Sequence, residues 1–319
     1  MNITKRSKNV KEKIEKIFRS SRASGYMLSF NQFHGRERGS VDLSGDIVSA
    51  ILSARARSIM FIGGADTGKT TMAEAAVGLL SRKWRTGALD LDMGQSHIGP
   101  PTTLAWGVAK GGFNGWEGIK AEELYFTGSL SPPGNLLPSI AGARLLMDSA
   151  LKRCEKLVID TTGLITEPVG RIYKQYKIDI LSPDIVIGIE KGDELGHILD
   201  AYRKQRRPRV IMVEASEHAV LKTVASRTEW RASKFREYFR GGRTFTVRLA
   251  SVGLRYTGEV ELEGLSGRLF SFRDALGRDM ALGYIVGADL KKKKLIVRSP
   301  LKKGAPVASI MIGRASVQL

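Results

Sequence analysis

The sequence predicts an α/β fold in which a mostly parallel sheet is flanked by helices, with a small all-β region after it. Three observations lead there. Strand and helix signals alternate for about 150 residues from position 58 onward. The strands in that stretch are near-continuous apolar runs, as strands covered on both faces require. After about residue 243 the texture changes to short alternating runs with Gly at the turns. The chain has 319 residues, 42% of them hydrophobic and 26% charged, which is enough to bury a sizeable core and excludes wholesale disorder.

Taken in order, residues 1–24 form a Lys/Arg-rich segment in which Val10, Ile14, Ile17 and Phe18 recur at helical spacing, as in a short docking helix with a solvated face. Residues 45–57 (GDIVSAILSARAR) read as a second helix. The strand candidates SIMFI, GALDLD, ELYFTG, KLVID, DIVIGI and RVIMVEA then supply the parallel sheet. TFTVRLA, GEVELEGL, GRLFSF, MALGYIVG, KKLIVRS and VASIMIG supply the C-terminal strands, and the lysines at 291–294 fall between two of them, as a solvated hairpin tip. Three parts are therefore expected: a basic helical segment 1–57, an α/β domain 58–242, and a small β domain 243–319.

Lys and Arg number 51 against 32 Asp and Glu, a net charge of +19, which points to an anionic partner such as nucleic acid or an acidic membrane surface. No apolar run reaches the roughly 20 residues that span a bilayer, and MNITKRSKNVKEK lacks the apolar stretch of a secretory signal. A cytoplasmic protein without membrane attachment is expected. The single Cys154 and the four His at 34, 97, 197 and 218 offer no zinc spacing, so Cys154 is expected as a buried, reduced thiol.

The strongest motif is Gly63-Gly64-Ala65-Asp66-Thr67-Gly68-Lys69-Thr70-Thr71, a full G-x-x-x-x-G-K-[ST] between an apolar strand and a helical stretch. Its glycines let backbone N–H groups converge on phosphate oxygens at a helix N-terminus, Lys69 neutralises the β and γ phosphates, and Thr70 is a ligand for Mg²⁺. The core is thus expected to be a P-loop NTPase.

Two strand ends offer carboxylates. Asp90 and Asp92 in LDLDMGQ lie two apart and so share a strand face, where they could serve one site. Asp160 ends the apolar run LVID before Thr161-Thr162-Gly163, a common place for a Mg²⁺-orienting carboxylate. Asp92 and Asp160 are both candidate metal ligands with Thr70, and whether Asp90 or Asp160 assists the metal stays open. Arg227 and Arg231, four apart, lie on one face of a helix that could close as a lid at about 227–242 and bring guanidinium to a transferred phosphoryl group.

The order of motifs, P-loop G-x-x-D-x-G-K-T-T, D-x-G-Q (Asp92 to Gln95), G-S-x-x-P-P-G-N (128–135), T-x-G (Thr161 to Gly163) and an Arg-rich stretch ending R-E-Y-F, resembles the polynucleotide 5′-hydroxyl kinase family of pre-mRNA cleavage, pre-rRNA processing and archaeal kinases. The resemblance runs over about 58–242 and more loosely beyond. It implies a kinase acting on RNA or DNA 5′-hydroxyl ends in RNA processing, with ATP or another NTP and Mg²⁺ as cofactors. It further implies that Asp92 activates the 5′-hydroxyl with help from Gln95, that Arg227 and Arg231 stabilise the transferred group, and that Thr161, Thr162 and Gly163 hold the polynucleotide. Position 164 is Leu where the family motif continues with a base-stacking Trp, a role Trp230 or Tyr173 could take over. The rival readings are a regulatory GTP-binding NTPase, from D-x-x-G at 160–163 and E-K-G-D at 190–193, and an ATP-binding scaffold without turnover.

Overall fold

The computed structural model describes residues 26–28, 41–43, 45–109, 112–216, 221–257, 264–289 and 291–318. The helix expected over 1–24 and most of the strand expected at 258–265 lie outside the described residues. The chain forms two compact units, 1–54 and 55–319. In the first, β1 (Tyr26–Leu28) pairs antiparallel with β2 (Val41–Leu43), and α1 (Gly45–Ile51) buries Ile47, Val48, Ala50 and Ile51.

The second unit is built on one sheet. Its centre is parallel, in the order β4 (Thr86–Leu91), β7 (Lys156–Thr161), β3 (Ser58–Gly63), β8 (Ile185–Glu190) and β9 (Arg209–Glu214). Every residue of β3, β4 and β7 is buried, as the unbroken apolar runs require. Between these strands run α2 (Lys69–Ser81), α3 (Leu136–Arg153), α4 (Val169–Leu181) and the single turn α5 (Gly196–Leu199), and α6 (Val224–Phe239) follows β9. Ile62, Leu89, Leu146, Ile159 and Ile178 belong to one core cluster that joins strands to helices. No described helix is long and apolar enough to cross a membrane.

Beyond β4 the sheet turns antiparallel through β5 (Thr103–Val108) and β6 (Glu123–Phe126). ELYFTG, expected among the parallel strands, is therefore antiparallel to its neighbours, since β5 leads into it without the α-helical crossover that usually joins a parallel pair. β5 was not among the expected strands. Pro100 and Pro101 precede it and Gly107 sits within it, so it reads as a broken run. At Gly107 a side chain would run into the Lys120 carbonyl at 2.3 Å, so a strand-weakening residue is required there by packing.

The C-terminal strands β10 (Arg243–Arg248), β11 (Gly253–Tyr256), β12 (Arg268–Arg273), β13 (Asp279–Asp289), β14 (Lys294–Ser299) and β15 (Ser309–Ser316) continue this sheet. They join it at one register pair, Asp279 with Leu124, yet hold their own core around Phe270, Phe272, Ile285, Val297 and Ile310. A third cluster, with Phe126, Leu269, Leu282 and Met311, takes in Phe235 and Phe239 of α6. Tyr238 accepts the Leu282 N–H at 2.9 Å. These are the only residues of α6 that are anchored in this way among the described contacts: its buried residues are Phe235 and Phe239, while Val224 is 80% exposed. Residues 291–294 are exposed and link β13 to β14, as expected of a hairpin tip.

Candidate active site

The P-loop follows β3 and opens α2. Gly68 caps the helix at φ 88°, a left-handed conformation that admits glycine without strain. Gly63 has no room for a side chain, since a Cβ would meet the Ile189 carbonyl at 2.3 Å. The Lys69 ammonium donates to the Gly64 carbonyl and lies 3.4 Å from Thr67 Oγ1. Burial lowers its pKa, opposed by the charges of Asp160, Asp92, Asp66 and Glu194. The charges of these four carboxylates offset part of the cost of burying the cation.

Thr70 Oγ1 donates to Asp160 Oδ2 at 2.7 Å, so the end of β7 meets the first turn of α2. Asp160 is 1% exposed, and burial pushes its carboxyl up to about 6 against the Thr70 hydrogen bond. A hydroxyl beside a carboxylate suits a hard divalent cation that completes its shell with phosphate oxygens and water. Among the described residues no group of three or more His, Cys, Asp or Glu is arranged to hold a metal by itself.

The pairing expected between Asp90 and Asp92 takes a different form. Asp92 lies just past β4, and its Oδ1 accepts the backbone N–H groups of Gly94 and Gln95 at 2.9 and 3.0 Å. Asp90 turns into the same loop: Oδ2 accepts from Ser96 Oγ at 3.0 Å and from the His97 and Ile98 N–H groups at 2.5 and 3.3 Å, while Oδ1 accepts the Asp92 N–H at 3.0 Å. Asp90 therefore braces the loop that presents Asp92 and Gln95. Burial, reinforced by the charge of Asp160, raises Asp90 to about 7. The 128–135 stretch backs this loop, since a side chain at Gly94 would meet the Leu130 carbonyl at 2.6 Å.

Thr161, Thr162 and Gly163 run past the P-loop so closely that a Cβ on Gly163 would lie 2.7 Å from Ala65 Cα. Thr161 Oγ1 donates to the Phe61 carbonyl at 2.7 Å. Thr162 Oγ1 is buried with no hydrogen-bond partner. Leu164 is half-buried, and Tyr173 is fully buried, so Tyr173 has no face to offer a base. Behind these residues stands Lys174, fully buried, whose ammonium donates to Thr161 Oγ1 at 2.8 Å and the Thr162 carbonyl at 2.5 Å. Burial, with the charges of Lys177 and Lys69, holds its pKa well below the usual lysine range. Sequence reading missed Lys174. The available signal was its place beside Tyr173, Ile178 and Leu181 on the buried face of α4.

The N-terminal half of α6 crosses this site. Arg227 Nη2 pairs with Asp66 Oδ2 at 2.6 Å, and the same oxygen accepts the Lys222 N–H at 3.1 Å. Arg227 Nε is buried without a partner. Arg231 donates to Thr228 Oγ1 at 2.8 Å. The E-K-G-D stretch has a local use: Glu190 Oε2 accepts the Leu195 N–H at 3.1 Å, and Glu194 Oε1 accepts the Lys191 N–H at 3.3 Å.

The P-loop residues Gly63, Gly64, Ala65, Asp66, Thr67, Gly68, Lys69, Thr70 and Thr71 are contiguous at the C-terminal end of the parallel strands, with Asp92, Asp160 and Arg227 gathered around them. The basic stretch 203–209 is elsewhere. It enters β9 at Arg209, which pairs with Ile185 and through it with Ile59, at the opposite end of the strands from Gly63.

A family model described as mRNA cleavage and polyadenylation factor CLP1 P-loop matches residues 63–241. A polyribonucleotide 5′-hydroxyl-kinase of Methanocaldococcus jannaschii is 35% identical over 196 residues, 61% of this chain and 54% of that protein, so the matched stretch spans about half of that relative. Similarly named kinases of Pyrococcus furiosus and Pyrococcus abyssi are 31% identical over 252 residues (76% of this chain, 70% of that protein) and 28% identical over 314 residues (82% and 87%). Among solved structures, wild-type Clp1p in complex with Pcf11p superposes with a TM-score of 0.67 at 11% identity, covering 84% of this chain and 76% of that one, which is a likeness of fold.

Proposed function

This chain belongs to the CLP1 P-loop family, and from that membership we propose that it is a polynucleotide 5′-hydroxyl kinase, transferring the γ-phosphate of ATP, or of another NTP, to the 5′-hydroxyl end of RNA or DNA. RNA processing in the cytoplasm is the setting this reading implies, and 58–242 is its catalytic part.

The observation that carries the proposal is the pairing of a phosphate loop with a separately braced carboxylate. Thr70 meets Asp160 at 2.7 Å, while Asp92 is held out by its own loop through Gly94 and Gln95. A simple nucleotide switch has no need of a braced acceptor-side carboxylate. In the transfer, Asp92 accepts the proton of the 5′-hydroxyl as its oxygen forms a bond to the γ-phosphorus, and the bond from that phosphorus to the β–γ bridging oxygen breaks, releasing ADP. Gln95 orients the attacking hydroxyl. Lys69 neutralises the β and γ oxygens, and Arg227, whose buried Nε has no partner, donates to the developing charge with Arg231 beside it. Mg²⁺, held by Thr70 and Asp160 with Asp92 nearby, would supply charge neutralisation on the phosphates. Thr161, Thr162 and Gly163 hold the polynucleotide end against the P-loop, with Thr162 Oγ1 as a buried group in need of a partner.

The test incubates purified protein with Mg²⁺, γ-labelled ATP or GTP, and 5′-hydroxyl RNA and DNA oligonucleotides. Label is expected on the oligonucleotide and not in the Asp92→Ala variant. Label released only as inorganic phosphate, at a rate independent of oligonucleotide, would overturn the kinase in favour of a regulatory NTPase, and nucleotide binding with neither product would favour a scaffold.

A further inference from the structure

We propose that His97 and Trp230, with buried Trp116 as their backing, form a stacking ledge for the nucleobase of the residue that carries the acceptor 5′-hydroxyl; the ledge rests on the kinase reading above.

The three rings are contiguous. Trp230 lies 5.4 Å from the His97 ring, tilted by 58°, and His97 lies 6.1 Å from Trp116, tilted by 30°. The two inner members are held by their backbones or ring edge. Trp116 is 4% exposed, its Nε1–H donates to the Thr70 carbonyl at 3.2 Å, and its backbone N–H donates to Glu74 at 3.3 Å. The His97 N–H is fixed on Asp90 at 2.5 Å. Trp230 is the outer member and remains half-exposed.

Position decides which base the ledge serves. His97 stands two residues after Gln95 on the loop that carries Asp92, so the rings flank the acceptor side of the P-loop. Along α6, Arg227 reaches Asp66 of the P-loop and Trp230, three residues on, reaches His97. One helical turn therefore spans from the transferred phosphoryl to the loop of the proton acceptor. Lys234 Nζ lies 5.7 Å from the Trp230 ring centre, and Arg231 is its chain neighbour, so cations border the aromatic surface where the first internucleotide phosphates would pass. Aromatic faces edged by cations bind single strands with little sequence preference, because every base has a π face.

The competing account makes Trp230 mere packing that holds the helix down on His97. It predicts equal losses for nucleotide and oligonucleotide and no dependence on the base itself. The test uses the full chain and two 3′-labelled 5′-hydroxyl oligonucleotides that differ only in whether the first residue carries a base. Binding is read by fluorescence anisotropy without turnover, and KM values for ATP and oligonucleotide are measured alongside. The wild type is expected to bind the base-bearing strand about tenfold more tightly than the abasic one. Trp230→Ala should reduce that ratio to near one with its KM for ATP little changed, while Trp230→Phe should keep most of it and so control for folding. A wild-type ratio near one, a ratio unaltered in Trp230→Ala, or an effect of Trp230→Ala confined to KM for ATP each overturns the ledge. Failure of the kinase reading is separate: it shows as absent label transfer in the wild type whatever the binding ratio.

Discussion

Asp90 and Asp160 occupy matching places on neighbouring parallel strands, paired in register across β4 and β7. Each is 1% exposed, and each is pushed up by burial, to about 7 and about 6 respectively. Their partners nevertheless differ. Four donors of its own loop converge on Asp90, from Asp92, Ser96, His97 and Ile98, whereas Asp160 takes the Thr161 N–H and the Thr70 hydroxyl of the P-loop. The same residue at the same register position is a brace in one strand and a ligand-side group in the next. What separates them is the supply of local donors: the loop after β4 curls back on its strand, and the loop after β7 runs straight across the P-loop.

That contrast can be broken by substitution. Asp92→Ala leaves both the brace and the Thr70 contact in place, and kcat for transfer should fall by about 10² to 10⁴ with nucleotide binding intact, measured by steady-state kinetics on a 5′-hydroxyl oligonucleotide. Asp160→Asn should weaken the apparent Mg²⁺ affinity by about 10- to 100-fold, as substitutions around a metal do, without lowering the denaturation midpoint. Asp90→Ala should invert that pattern. It strands buried donors of the 92–98 loop at a cost of about 2 kcal/mol, read by urea titration, and its loss of transfer should be smaller than that of Asp92→Ala. An Asp90→Ala protein of normal stability and no activity would mean that the two carboxylates have exchanged roles. The smallest effect is expected from Asp66→Ala. A partly exposed ion pair such as Asp66 with Arg227 contributes only about 0 to 1 kcal/mol, so stability should hardly move, while limited proteolysis near 221–231 should quicken.

The P-loop, its strand and its helix were legible in the sequence because glycine placement, apolar run and helix onset all fall within about twenty residues. The parallel strands were found within a residue or so for the same local reason. β5 was missed because Gly107 answers to the Lys120 carbonyl, a demand made by another segment. The split between Asp90 and Asp92 was also out of reach: a period of two puts both on one face, and only the fold-back of residues 96–98 takes Asp90 away. The basic stretch 203–209 shows the limit of charge counted along a chain. Its charge would suit contact with a polynucleotide, yet it sits at the far end of β9 from the P-loop, with Arg203 and Arg207 paired to Asp200 and Asp184. Lys174 drew no attention in the sequence, because a lysine in an amphipathic helix gives no sign of its own that it is buried, and only the fold places it under Thr161 and Thr162.

The helix α6 is packed into a hydrophobic core at one end only, and its other half is tied to the site by the Arg227–Asp66 ion pair and the Trp230–His97 ring contact. Phe235, Tyr238 and Phe239 are set among Phe126, Leu269, Leu282 and Met311, while on the other half, which has little buried surface, Arg227 reaches Asp66 of the phosphate loop and Trp230 reaches His97. In mechanical terms it is a cantilever whose mounting block is the C-terminal sheet and whose loaded tip is a guanidinium. The angle of such a beam is set at its root, so the C-terminal strands govern where Arg227 points although none of the site's reactive groups belongs to them. Cutting the chain after α6 would not trim the protein to a smaller version of itself; it would leave the beam without a wall.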